Sequence, residues 1–176
     1  MQCLTFLYIL DKYDMKCTLS LVFLLVLSFS IKSIFAAEFI IQGNSRVNYS
    51  EFVFTDNSKY LTLSQVGQWT DSLGNYGSSL CMGLVKKDSK DTVEFLDVVC
   101  ESQDQNNIIT WRKFERIGIS EIERGVGVST IIDTTSKHRK ELLGTKCKYA
   151  VNRTKDMVFS KAVCTVSEEL YRKLIK

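Results

Sequence analysis

Cys147-Lys148-Tyr149-Ala150-Val151-Asn152-Arg153-Thr154-Lys155-Asp156-Met157-Val158-Phe159-Ser160-Lys161-Ala162-Val163-Cys164 reads as a β-hairpin folded at Lys155-Asp156. In a hairpin with a two-residue turn, facing residues share a constant index sum. Cys147 plus Cys164 gives the same total as Lys155 plus Asp156, so the two cysteines face each other across the ladder. In that register Cys147, Tyr149, Val151, Val158, Ala162 and Cys164 share one face, and Lys146, Lys148 and Lys161 take the other. That is the alternation of a half-buried antiparallel pair.

Cys81 to Cys100 has the same layout. Lys90-Asp91 lies near its middle, and Phe95 sits five positions before the second cysteine, as Phe159 does. Folding at Lys90-Asp91 sets Cys81 against Cys100. Cys81, Val85, Leu96, Val98 and Cys100 then share a face, but Leu80, Met82, Leu84 and Phe95 opposite them are apolar too. This hairpin is therefore expected to be covered on both sides, by the C-terminal helix or by a partner subunit. The expected bridges are Cys81–Cys100 and Cys147–Cys164, one of the three connectivities open to four cysteines. The spacings are not those of a zinc site.

Working outward, strand signals separated by turn residues fall at 47–54, 59–69, 77–87, 92–101, 107–117, 125–133, 145–152 and 157–166. Asp71-Ser72-Leu73-Gly74-Asn75 is a turn rich in residues that tolerate positive φ. The one convincing helix is the tail, 167–174, where Ser167 caps, the acids come first and the bases last. The fold class is all-β, an antiparallel eight-stranded meander in a single domain, 37–176. Closure into a barrel removes the exposed edges that so many strands would leave. Leu61, Leu63, Gln65 and Trp69 alternate onto the face expected inside.

The chain begins with a leader. Lys16 precedes an uncharged run, Leu19 to Ile31, and Ser33-Ile34-Phe35-Ala36-Ala37 follows. This is the layout of a signal peptide, 1–36, with Met15 as an alternative start because Asp11 and Asp14 precede the apolar run. The run is shorter than the roughly 20 residues of a membrane span; a retained N-terminal anchor is the alternative. The expected location is secreted or periplasmic, where disulfides persist. Asn48-Tyr49-Ser50 and Asn152-Arg153-Thr154 match the glycosylation acceptor pattern.

Gly67-Gln68-Trp69-Thr70, followed by Leu73-Gly74, resembles the first strand and turn of calycin barrels, the lipocalins and avidins. The resemblance implies an eight-stranded barrel closed at one end by the Trp, with a small molecule inside. Trp111 is the only other tryptophan, so biotin binding is not carried over. Thr135-Ser136-Lys137 with Leu143-Gly144 resembles a segment of barrels like allene oxide cyclase and dirigent proteins.

The chemistry is bounded by what the chain contains. A formal net charge of +3 does not mark a nucleic-acid binder. One histidine excludes a multi-His metal site, and His138, in a polar stretch, reads as a solvated loop residue. Gly125-Val126-Gly127-Val128 lacks the Lys-Ser/Thr of a phosphate loop and reads as a strand bend or close packing. Trp111-Arg112-Lys113-Phe114-Glu115-Arg116 reads as a strand with packed aromatics rather than a stacking platform. Asp97, flanked by Leu96, Val98 and Val99, would if buried need an Arg or Lys partner, which Arg112 or Arg116 on the next strand could supply. The candidate ligand-binding residues are Trp69, Asp71, Asp97, Trp111 and Arg116; no catalytic residue, metal or cofactor is expected.

These observations point to a non-catalytic barrel binding a small apolar or amphipathic molecule, or serving as an interaction module. One alternative is a cofactor-independent cyclase or isomerase using the cavity, resting on a buried Asp97 near Arg116. Another is a structural envelope protein joined through the two-sided hairpin, which leaves a homo-oligomer open.

Overall fold

The computed structural model describes residues 36–117, 120–121 and 124–175; the signal peptide read at 1–36 lies outside these residues except for Ala36. The strands are β1 (Ala36–Val53), β2 (Lys59–Asp71), β3 (Tyr76–Lys87), β4 (Thr92–Asp104), β5 (Ile109–Arg116), β6 (Ser120–Glu121), β7 (Arg124–Thr134), β8 (Lys146–Thr154) and β9 (Met157–Ser167). A 3₁₀ turn, Lys137–Leu142, joins β7 to β8, and the helix α1 (Glu168–Leu174) ends the chain.

Local chemistry makes the turns. Four strand connections, 54–58, 71–75, 88–92 and 104–108, are the same five-residue device. The first N–H donates to the fifth carbonyl, and the fourth N–H donates to the first carbonyl. The fourth residue has positive φ: Asn57, Gly74, Asp91 and Asn107. This is a type I turn closed by a left-handed residue. In three of the four an aspartate opens the turn. Oδ1 of Asp71, Asp88 and Asp104 accepts the N–H groups two and four positions on, at 2.8–2.9 Å. A short acceptor that ties down its own downstream backbone is what favours Asp here.

The eight long strands pair in the order β1-β2-β3-β4-β5-β7-β8-β9, and β9 returns to β1. The sheet is thus a closed antiparallel barrel, as its alternation predicts, and β6 adds two residues beside the start of β4. Strand β1 begins at Ala36, well before the predicted 47, because its first half pairs with β9 where the two ends of the chain meet.

Both predicted disulfides are present, Cys81–Cys100 and Cys147–Cys164, each between directly facing residues. The β8–β9 hairpin folds at Lys155-Asp156, with Thr154 opposite Met157. The β3–β4 hairpin corrects the reading. Its loop is Ser89-Lys90-Asp91, and Glu94 is an extra residue on β4 that restores the register of the cysteines. A three-residue loop with a compensating bulge leaves the same index sum as a two-residue turn.

Two core clusters form, each around one disulfide. Val47, Leu61, Leu63, Val85, Val93, Val98 and Val158 surround Cys81–Cys100. Phe39, Ile131, Leu142, Tyr149, Ala162 and Val166 surround Cys147–Cys164. Phe114 and Val151 pack against both. Ser167 caps α1 as predicted, accepting from the Leu170 N–H at 3.2 Å. Leu170, Tyr171 and Leu174 of that helix pack against the second cluster. The helix does not cover the first hairpin. Leu80, Met82, Leu84 and Phe95 stay exposed on the outside of the barrel, Met82 at 62%. Their partners across the ladder are on the same outer face, and no described element lies over them.

Three segments lock the helix-bearing end. Asp104, its side chain fully buried, has Arg139 Nη1 2.8 Å from Oδ2, an ion pair off hydrogen-bond alignment. Arg139 also donates to Asn75 Oδ1 at 3.4 Å.

Two outcomes follow for stability. Selective loss of Cys147–Cys164 by double substitution to serine lowers unfolding free energy by ~3 kcal/mol on the chain-entropy account, measured by urea titration. Asp104→Ala removes both turn bonds and strands Arg139, costing about 3 kcal/mol. Asp104→Asn keeps the turn and costs less; equal losses would assign the whole effect to the ion pair.

Candidate functional site

Period-two alternation around a closed barrel delivers every second side chain to one interior. That interior is not filled. A cavity of about 110 Å³ lies between the two core clusters. Its apolar walls include Leu63, Leu96, Val98, Phe114, Val151 and Val158. Its polar groups include Ser45, Gln65, Tyr49, Tyr149 and three arginines, Arg112, Arg116 and Arg153. Among the described residues no aspartate or glutamate lines it. A second cavity of about 60 Å³ lies toward α1, and Ile41, Trp69 and Arg112 line both.

The arginines differ in how they are held. Arg112 and Arg116 sit four residues apart on β5, roughly 13 Å along an extended strand, with Phe114 between them. Arg112 is 8% exposed. It donates to Ser102 Oγ at 3.2 Å and lies 5.6 Å from the Phe114 ring centre. Burial pushes its guanidinium down to about 10, against the pull of the Asp71 charge, so it remains cationic at neutral pH. Arg116 lies over Gly125, where an added Cβ would collide with the guanidinium. Its Nε and Nη1 are buried and hydrogen-bond to no described group. Arg153 donates from Nε to the Lys155 carbonyl at 2.6 Å and stacks on Tyr49, 4.8 Å from the ring centre.

The tyrosines complete the wall. Tyr149 donates to the Glu115 carbonyl at 3.2 Å and packs edge-on to Phe114, ring centres 5.2 Å apart. Gly127 leaves room for that ring, since a Cβ there would meet Tyr149 at 2.6 Å. The glycines of β7 thus serve close packing, as their sequence context suggests. Burial raises both phenols above their ordinary value; for Tyr49 the nearby charges of Arg153 and Arg116 act the other way. Both therefore stay protonated at neutral pH. On the other side Gln65 donates to Ser45 across the β1–β2 ladder.

The five predicted ligand residues divide. Trp69 and Arg116 face the main cavity. Trp69 also donates to the Ser78 carbonyl at 3.0 Å. Asp71 lines the smaller cavity, but both its oxygens are taken by the 71–75 turn. Trp111 faces outward and donates to Glu101 at 3.2 Å. Asp97 is not buried: it is half-exposed on the outer face, away from the cavity, and its partner is Lys113 at 3.6 Å. Parity with Cys100 puts any residue three positions away outside, so this was legible in the strand itself. The same parity carries Arg153 inward, counted from Cys147, and Ser160, counted from Cys164. His138 is exposed on the 3₁₀ turn. No group of acidic, histidine and cysteine side chains able to hold a metal occurs among the described residues. No described helix is long and apolar enough to cross a membrane.

No protein-family model matches this chain. No curated protein matches it either. Among solved structures it is similar to a conserved protein of unknown function, RPA1785, from Rhodopseudomonas palustris. The TM-score is 0.59 at 8% identity, covering 75% of this chain and 99% of that one. The likeness concerns the fold. It carries no feature specific to calycins or dirigent proteins, and the Gly67-Gln68-Trp69 segment lies on the second strand, where the calycin resemblance implied the first.

Arg112 is expected to weaken the fold it is buried in. Its folded-state pKa lies below the unfolded one, so the charge is disfavoured in the barrel wherever the group is protonated, and stability would rise only as pH climbs past about 10. At pH 7, Arg112→Leu therefore leaves stability unchanged or raises it by about 1–3 kcal/mol in urea titration. A loss of similar size would mean that the guanidinium is fully compensated.

Proposed function

We propose that this protein is an extracytoplasmic, disulfide-stabilised barrel that binds one small amphipathic molecule in its interior. The observation that carries this reading is the cavity between the two core clusters, apolar along most of its wall and supplied with polar donors at a few points. Binding sites have this composition: apolar surface for affinity, few polar groups for orientation. The volume suits a ring-sized or short-chain molecule; an engineered apolar cavity of roughly 150 Å³ takes up benzene. An oxidising compartment supports the same reading, because Cys81–Cys100 and Cys147–Cys164 close hairpins whose thiols a reducing cytosol would keep apart.

The test uses benzyl alcohol, a neutral ring-sized probe, with methyl NMR on the oxidised protein. Saturable shift changes are expected at Val98, Val151 and Ala162, which line the cavity. No change, or changes limited to outward residues such as Val126 and Ile132, would refute the reading.

A further inference from the structure

The cavity concentrates positive charge that the described residues do not answer. Three guanidiniums line it, and no described acidic side chain does. Buried charges in folded proteins are ordinarily paired, because an unpaired one forfeits several kcal/mol of hydration. Elsewhere in this barrel that rule holds: Asp104 is paired with Arg139, and Lys87 with Asp91. The exception is confined to the cavity, where it is most marked at Arg116. Arg112 has Ser102 and the field of Asp71; Arg153 has a carbonyl and the Tyr49 ring. Arg116 has two buried donors with no described acceptor.

Its placement is built. The guanidinium occupies the space that a side chain at Gly125 would need, so β7 is cut back to the backbone to admit it. Tyr49 on β1 and Arg153 on β8, strands separated by β9, line the same cavity, and both phenols remain donors at neutral pH. A guanidinium, a second cation and a neutral phenol are all donors. An oxygen anion satisfies such a set, whereas a neutral ligand leaves the charges unanswered. The apolar remainder of the wall and the small volume limit the rest of the molecule to a ring or a short chain.

We propose that the occupant is a small amphipathic carboxylate, its head held by Arg116 with Arg153 and Tyr49 beside it, and its apolar body against Leu63, Leu96 and Val98. This rests on the binding reading above and names its ligand class. Arg116 is then a specificity determinant: the fold tolerates its uncompensated charge because the ligand supplies the counter-charge.

Calorimetry on the full oxidised protein tests this with benzoate, benzyl alcohol and benzylamine at pH 7, where Tyr49 stays a neutral phenol. Benzoate is expected to bind at least about tenfold more tightly than benzyl alcohol, as one charge-assisted hydrogen bond implies, with benzylamine weakest. Arg116→Met removes that preference, bringing benzoate to within about twofold of benzyl alcohol measured on the same variant, and keeps or raises the urea midpoint. Arg116→Lys restores part of the preference. Equal affinities for benzoate and benzyl alcohol overturn the carboxylate assignment while leaving the binding reading standing. Absence of binding by all three overturns both. A large fall in the urea midpoint of Arg116→Met, with benzoate binding intact in the folded protein, makes Arg116 structural and also overturns it. Should Arg116→Met fail to fold, Tyr49→Phe decides: about threefold or greater weakening of benzoate alone supports the site, and no change refutes it.

Discussion

The pairing of β1 with β9, from Ala36–Ser167 to Arg46–Met157, is the constraint on which this molecule rests. It joins the two ends of the described chain and turns a meander with two open edges into a closed barrel. Closure converts a local property, alternation along each strand, into a global one. Every strand acquires a face turned away from bulk water, and all those faces meet in one space. The disulfides do not replace this constraint. Each crosslinks adjacent strands of one hairpin, so they fix register within two quarters of the wall and leave the seam to backbone pairing and to the cluster around Phe39 and Val166.

The interior that closure creates is divided in its physical character. At the two disulfides it is packed and apolar, like any small-barrel core. Between them it carries three arginines, two tyrosines and a serine–glutamine pair. Such a layer is expensive: it forfeits hydrophobic burial and desolvates charge. A barrel whose only task was to be stable would put leucine at Arg112 and Arg116. The two disulfides offset part of that cost by constraining the unfolded chain, each by ~3 kcal/mol on the entropy model. The pattern is the familiar opposition between stability and a site, in which local rules are broken where something is to be bound.

The turns show the opposite economy. Asp71, Asp88 and Asp104 each satisfy two backbone donors and place a left-handed residue three positions on. No tertiary contact is needed for that geometry. These loops therefore favour their hairpin registers from local chemistry alone, which matters for a topology dominated by strand pairing. The burial of Asp104 and its ion pair with Arg139 of the 3₁₀ turn are tertiary additions to that local device.

What the amino-acid sequence determined by itself was whatever depends on neighbours along the chain: the strands, the turns, the facing cysteines and the capped helix, all set by alternation, side-chain reach and φ preference. The outward placement of Asp97 lay within that domain as well, because its parity with Cys100 sends it outside whatever its apolar neighbours. The bulge at Glu94 was not legible, since a three-residue loop plus one extra residue preserves the index sum of a two-residue turn. Tertiary structure alone decided the start of β1, whose first half is a strand only because β9 lies beside it. It alone decided that α1 seals one end of the barrel rather than covering Met82 and Phe95. And it alone brought Tyr49, Arg116 and Arg153 to one cavity, because strands far apart in the chain share an interior only after the sheet has closed on itself.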